Sequence, residues 1–216
     1  MKQFAIIGLG NFGATVAREL TEAGLQVTAI DTDKGRVQLV QDYLHPVILA
    51  DATDRKFLEN IAVKDFDCFV VSTGADSHAS ILITLLLNEL GAERIIVKAN
   101  SADHAKILMK VGASEAIIPE QQMAVKLSRS LVQPNLVDYL PLTQDFYVAE
   151  IVPPAAFVGK KLMELQLRTK FRVQVIAVKD RQTDKFDFVP GGDYKVRASD
   201  LLVILGQEAD INKIKE

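Results

Sequence analysis

The chain has 216 residues, 49% of them hydrophobic and 25% charged, enough to bury a sizeable core as one large domain or two modest ones. Its net charge is −3, with lysine and arginine scattered among acids, which excludes a phosphate-backbone binder and with it nucleic acid as a partner. The apolar opening at 4–7 is too short for a secretory signal. The run at 81–87 is far below the roughly 18 residues of a spanning helix, and the single Cys68 reads as a buried core thiol, so a reducing cytoplasm is expected.

Taken in chain order, short and solidly apolar runs at 4–7, 27–30, 47–49, 69–71, 95–97 and 116–118 alternate with helical segments at 12–23, 34–43, 54–61, 76–90 and 102–111. Runs apolar on both faces are those of a parallel sheet covered by helices, and Gly24, Gly91 and Gly112 suit positions just past helix ends. The fold class expected is therefore α/β, a Rossmann-like doubly wound parallel sheet of about six strands. A sixth helix at 121–132 stops before Pro134, and Asp138-Tyr139-Leu140-Pro141 reads as a hinge or crossover between domains. Beyond it, strand-like 146–152, a Pro153-Pro154 break, a short helix at 160–165 and strands at 173–178 and 201–205 make a small α+β module. Pro190-Gly191-Gly192-Asp193 is a turn, and Asp193 and Asp200 frame the last hairpin-like element. The domains expected are 1–134 and 135–216, and no internal repeat relates them.

Gly8-Leu9-Gly10-Asn11-Phe12-Gly13 closes the first strand and opens the first helix, the context that makes G-x-G-x-x-G specific. Gly8 permits the tight turn, Gly10 lets backbone approach a pyrophosphate, and Gly13 lets helix and strand pack closely, while the helix N-terminus offers N–H groups to phosphates. Asp31 ends the second strand 18 residues after Gly13, placed to accept both hydroxyls of an adenine ribose. Against a 2′-phosphate at about 4 Å that carboxylate costs about 4 kcal/mol at an effective dielectric near 20, roughly a thousandfold, so NADP is disfavoured. A P-loop is excluded because Ala14 stands where its lysine belongs.

Catalysis finds little support. No Tyr-x-x-x-Lys occurs, and His45, His78 and His104 sit in separate segments where surface or capping roles are expected, with His78 able to border a ligand. No catalytic domain houses a substrate, so the chain is not expected to be an enzyme.

The motifs Phe4–Gly13, Asp31-Thr32-Asp33, Asp51-Ala52-Thr53, Ser72-Thr73-Gly74-Ala75, Val97-Lys98-Ala99 and Ile118-Pro119-Glu120 together resemble the RCK (TrkA-N) domain of Ktr/Trk potassium-transport regulators. The remainder resembles the matching TrkA-C module, and one pair of domains in this length is the Ktr-type layout. The resemblance implies a cytoplasmic gating subunit, peripheral to the inner face of the membrane. It would assemble as dimers into an octameric ring beneath a membrane-embedded potassium transporter, with exchange of ATP and ADP, or of NAD and NADH, reshaping the ring. It implies that backbone at Gly10, Asn11 and Phe12 meets phosphates, that Asp31 holds the ribose with Asp33 near it, and that Asp51 and Ala52 flank the adenine. Thr73 and Gly74 would edge the pocket, and Lys98 would lie within charge range.

Glu120 is either part of a magnesium or other divalent-cation site near the terminal phosphate, as the resemblance implies, or a first-turn helix acid favoured by the dipole. Many Ktr-type subunits carry arginine where this chain has Asn11. A charge-assisted contact of that kind is worth about 1.5–3 kcal/mol, so its loss weakens discrimination of ATP from ADP and keeps NAD(H) in contention. The TrkA-C module of the family also carries a second ligand in some members, cyclic di-AMP. Leu165-Gln166-Leu167-Arg168 and Val175-Ile176-Ala177 resemble the lining of its pocket, with Arg168 and Ile176 as candidates, or are the apolar core and a surface arginine of a dimerising module. Competing readings are a small NAD-dependent oxidoreductase, a stand-alone nucleotide or redox sensor, and the ligand-binding domain of an efflux or antiporter system.

Overall fold

The computed structural model describes residues 2–132, 136–143 and 145–214. By internal contacts the chain divides into two units, 1–121 and 122–216. The division falls ahead of the boundary expected after residue 134.

In the first unit, β1 (Gln3–Ile7), β2 (Gln26–Asp31), β3 (Val47–Leu49), β4 (Cys68–Val71), β5 (Ile95–Lys98) and β6 (Glu115–Ile117) form one sheet in the order β3-β2-β1-β4-β5-β6, every pairing parallel. Connecting them are α1 (Asn11–Glu22), α2 (Lys34–Val40), α3 (Arg55–Asn60), α4 (Ser77–Glu89) and α5 (Ala102–Lys110). Alternation along each strand sends side chains to opposite faces, and both faces are covered. Ala5 and Ile7 of β1 enter a core shared with Leu58 of α3, Leu87 of α4 and Leu108 of α5. Ile6 between them packs with Ala17 of α1 and Val37 and Val40 of α2. Strand order reverses between β1 and β4, which opens a crevice at the carboxyl ends of the strands where a doubly wound sheet binds ligands.

Helix α6 (Pro119–Val132) follows β6 and crosses the division between the units. The second unit holds β7 (Leu136–Pro141), β8 (Phe146–Ile151), α7 (Leu162–Leu165), α8 (Leu167–Lys170), β9 (Gln174–Asp180), β10 (Phe186–Phe188), β11 (Asp200–Gln207) and α9 (Glu208–Ile211). Its five strands form an antiparallel sheet in the order β10-β9-β11-β8-β7 over a core that includes Ile151, Leu202 and Ile204. The hinge expected at 138–141 is instead part of β7, paired with β8 from Leu136↔Ile151 to Pro141↔Tyr147. A non-local ladder overrides the turn chemistry of the flanking prolines. Asp200 is fully buried at the start of β11, where its carboxylate accepts the Tyr194 hydroxyl at 3.0 Å and the Arg197 N–H at 2.7 Å. Burial first, then this carboxylate, push the Tyr194 phenol up to about 12. Among the described residues no helix is long and apolar enough to cross a membrane.

Candidate functional site

The glycine turn is built as its spacing demands. Gly8 has φ +93°, a conformation that side chains resist, and a Cβ there would stand 2.1 Å from the Ser72 carbonyl oxygen. A Cβ at Gly13 would stand 1.9 Å from the Gly8 oxygen, so β1, β4 and α1 meet only because these residues have no side chain. Gly10 differs, because a Cβ there would meet nothing within 4 Å. It is the N-cap of α1, and among the described residues no side-chain hydrogen bond caps that helix. The first-turn N–H groups are left to water or to an anion, with the positive end of a twelve-residue helix behind them. Asn11 is exposed on this turn, and Phe12 packs into the core behind it.

Asp31 is 6% exposed at the end of β2. Its Oδ2 accepts the Leu9 N–H at 2.6 Å and its Oδ1 accepts the Asp33 N–H at 2.8 Å, so the carboxylate ties the glycine turn to the β2–α2 connection. The Arg36 guanidinium lies 3.6 Å from Oδ2. Asp33 turns its own carboxylate to the Arg36 N–H at 3.0 Å as the N-cap of α2.

A cleft of about 420 Å³ opens here, and of the expected residues it brings together Gly8, Asp31, Asp51, Ala52 and Thr73. Asp51 Oδ1 accepts both the N–H and the hydroxyl of Thr53, at 2.9 and 2.7 Å, which fixes the turn after β3. Thr73 donates its hydroxyl to the Asp76 carbonyl at 2.7 Å, and the Asp76 side chain caps α4 through the Ala79 N–H. Leu82 and Ile83 of α4 supply an apolar wall suited to a planar base. Gly10, Asn11, Phe12 and Gly13 belong to the adjoining start of α1, Asp33 to the N-cap of α2 and Gly74, with φ +67°, to the turn after β4; none of them lines the cleft itself. Arg36 and Asp76 line it without having been picked out from sequence, Thr53 of the Asp51-Ala52-Thr53 motif lines it as well, and His78 does border it. The signal for Arg36 lay in its spacing, five residues after Asp31 in the first turn of α2.

Lys98 also stands apart from that cleft, at the end of β5, where it donates to Glu120 of α6. This bond first, then a backbone hydrogen bond, hold the Glu120 carboxyl below the usual range. Among the described residues no group of three or more His, Cys, Asp or Glu is arranged to hold a metal ion, so Glu120 by itself does not make a cation site.

His104 is buried rather than at the surface, and of the two roles expected for it the structure shows the capping one, at the start of α5. It is 6% exposed, its Nδ1 accepts the Asn100 N–H at 3.2 Å, and its Nε2 lies 3.0 Å from the Ser80 hydroxyl oxygen, which itself donates to the Ser77 carbonyl. That network places the ring proton on Nε2, and burial lowers the pKa of the imidazole. Cys68 is buried as expected, and burial pushes its thiol up.

In the second unit a cavity of about 660 Å³ is lined by Arg168, Gln166, Gln174, Val175 and Pro190 among others. Ile176 is not part of that lining, which takes Val173, just before β9, and Gln174 and Val175 at its start instead. Gln174 Oε1 is buried here without a hydrogen-bond partner among the described residues.

The family model of the TrkA-N domain matches residues 4–119, and that of the TrkA-C domain matches residues 146–216. The Ktr system potassium uptake protein C of Bacillus subtilis (strain 168) is 34% identical over 215 residues, covering 100% of this chain and 96% of that protein. The Ktr system potassium uptake protein A of Vibrio alginolyticus is 33% identical, covering 99% and 97%. Among solved structures, the GsuK channel bound to NAD superposes with a TM-score of 0.59 at 21% identity over 99% of this chain. The chain spans 38% of that channel's length, and the likeness is one of fold.

Proposed function

The chain belongs to the TrkA-N/TrkA-C family of potassium-uptake proteins, and on that premise we propose that it is the nucleotide-sensing gating subunit of a membrane potassium transporter. The observation that carries this reading is the open N-terminus of α1 beside the Asp31 cleft, in a chain similar from end to end to two Ktr system potassium uptake proteins. Phosphates would lie on the backbone N–H groups after Gly10, the ribose on Asp31, and the adenine between Asp51, Ala52 and the α4 wall. The ligand is ADP or ATP, with NAD(H) the alternative, and the protein senses it rather than turning it over.

Dimers of the chain would assemble into an octameric ring against the cytoplasmic face of the transporter. Binding gates transport only if the two arrangements of the ring differ in affinity, since a ligand that binds both equally shifts nothing. Glu120 would hold a divalent cation only together with phosphate oxygens of the nucleotide. The cavity beside Arg168, with the unpartnered Gln174 oxygen, is where a second ligand such as cyclic di-AMP would bind. The test is co-purification with a membrane subunit, measured with ADP and with ATP. A nucleotide-dependent complex supports the reading, and turnover of NADH with a carbonyl substrate and no membrane partner would replace it by an oxidoreductase.

A further inference from the structure

We propose that Arg36 makes the cleft tolerant of a phosphate on the 2′-oxygen of the adenosine ribose, so that 2′-phosphorylated adenosine nucleotides are ligands of this chain alongside unphosphorylated ones. The inference rests on the nucleotide-binding reading of the cleft. Considered alone, Asp31 rejects a 2′-phosphate. The structure adds two features that oppose that rejection. Both carboxylate oxygens already receive a backbone N–H, from Leu9 and from Asp33, which offsets part of the negative charge at the site. The Arg36 guanidinium lies 3.6 Å from the same carboxylate and lines the cleft, so a phosphate brought against Asp31 meets a cation beside the carboxylate that repels it.

Arg36 is also free to respond. Its side chain is 53% exposed, and among the described residues its guanidinium makes no hydrogen bond, the Asp31 contact being an ion pair beyond hydrogen-bond length. A half-exposed pair of this kind is weak, whereas a guanidinium presents five donors in a fork that fits phosphate with two parallel bonds. The remaining carboxylates that line the cleft are engaged elsewhere. Asp51 accepts from Thr53, and Asp76 accepts the Ala79 N–H at the start of α4. The Arg36 backbone N–H is held by Asp33 independently of the side chain, so substitution of the guanidinium leaves the helix start intact.

The test is calorimetric titration of the full chain with AMP and with adenosine 2′,5′-bisphosphate, which differ only in the 2′-phosphate, with ADP as the reference ligand. The unsubstituted chain is expected to bind the bisphosphate within about tenfold of AMP. Arg36→Gln should weaken the bisphosphate about tenfold or more and AMP less than about threefold, and Arg36→Lys should recover part of the loss, since it keeps the charge but not the fork. The proposal is overturned if the bisphosphate binds about a hundredfold more weakly than AMP, if it fails to bind where ADP binds, or if Arg36→Gln moves both ligands equally. Failure of ADP itself to bind removes the nucleotide reading of the cleft, a result distinct from selective loss of the bisphosphate.

Discussion

The Asp31 carboxylate accepts the backbone N–H of Leu9 at 2.6 Å across 22 positions of sequence, so the group proposed to hold the ribose also clamps the glycine turn that receives the phosphates. On that proposal, structure and ligand recognition would be coupled through one buried side chain.

Asp31→Asn tests that coupling. An amide has one acceptor oxygen, and both the Leu9 and the Asp33 N–H groups need one. One donor is left facing an NH₂ group, a loss of about 1–3 kcal/mol in a urea unfolding experiment. Nucleotide affinity should fall as well. Unchanged stability would show that the clamp contributes nothing.

The three glycines of the turn should separate folding from binding. Gly8→Ala and Gly13→Ala place a Cβ about on top of a carbonyl oxygen, 2.1 and 1.9 Å away, and should unfold the first unit or lower its melting temperature sharply. Gly10→Val has room for its Cβ and should keep the fold, while its side chain occupies the approach to the α1 N-terminus. Circular dichroism and calorimetry on the three variants check the difference.

His104 gives a pH dependence of known sign. Its folded pKa lies below the unfolded value of about 6.5, so below that pH the unfolded chain binds the proton more readily. The contribution to stability is complete above about pH 6.5 and is lost as pH falls towards the lowered folded value. Denaturation midpoints measured on both sides of pH 6.5 should show this loss, and His104→Gln should remove that part of the slope.

Glu120 separates its two readings by magnesium. If it serves the nucleotide site, magnesium should strengthen nucleotide binding to the native chain and not to Glu120→Gln, and magnesium without nucleotide should produce no binding heat. An equal magnesium effect in both proteins leaves Glu120 as the first-turn partner of Lys98 alone.

The parallel sheet was legible because each strand carries a short apolar run, three of them closed by Gly8, Asp31 and Ser72, and the six observed strands fall on the six expected runs. The second unit was less so. Residues 136–141 read Leu-Val-Asp-Tyr-Leu-Pro, without a strand's alternation, Pro134 and Pro141 suggest a break, and only the ladder with β8 makes them a strand. β10 is three residues long and exposed throughout, so burial left no pattern to find. At the site, the glycines and Asp31 declare themselves by spacing. Arg36 is weaker, because its spacing from Asp31 is available in the sequence but a charged residue in the first turn of a helix reads as solvated surface until the structure places that side chain beside Asp31.

The most direct measurement is calorimetric titration of the purified chain and of Gly10→Val with ADP, ATP and NADH, together with the mass of each species in solution. The account predicts saturable binding of an adenine nucleotide, one per chain, by the native assembly, and none by a variant that keeps its fold and its mass. Equal binding by the two proteins, or no binding by the native chain, would contradict it.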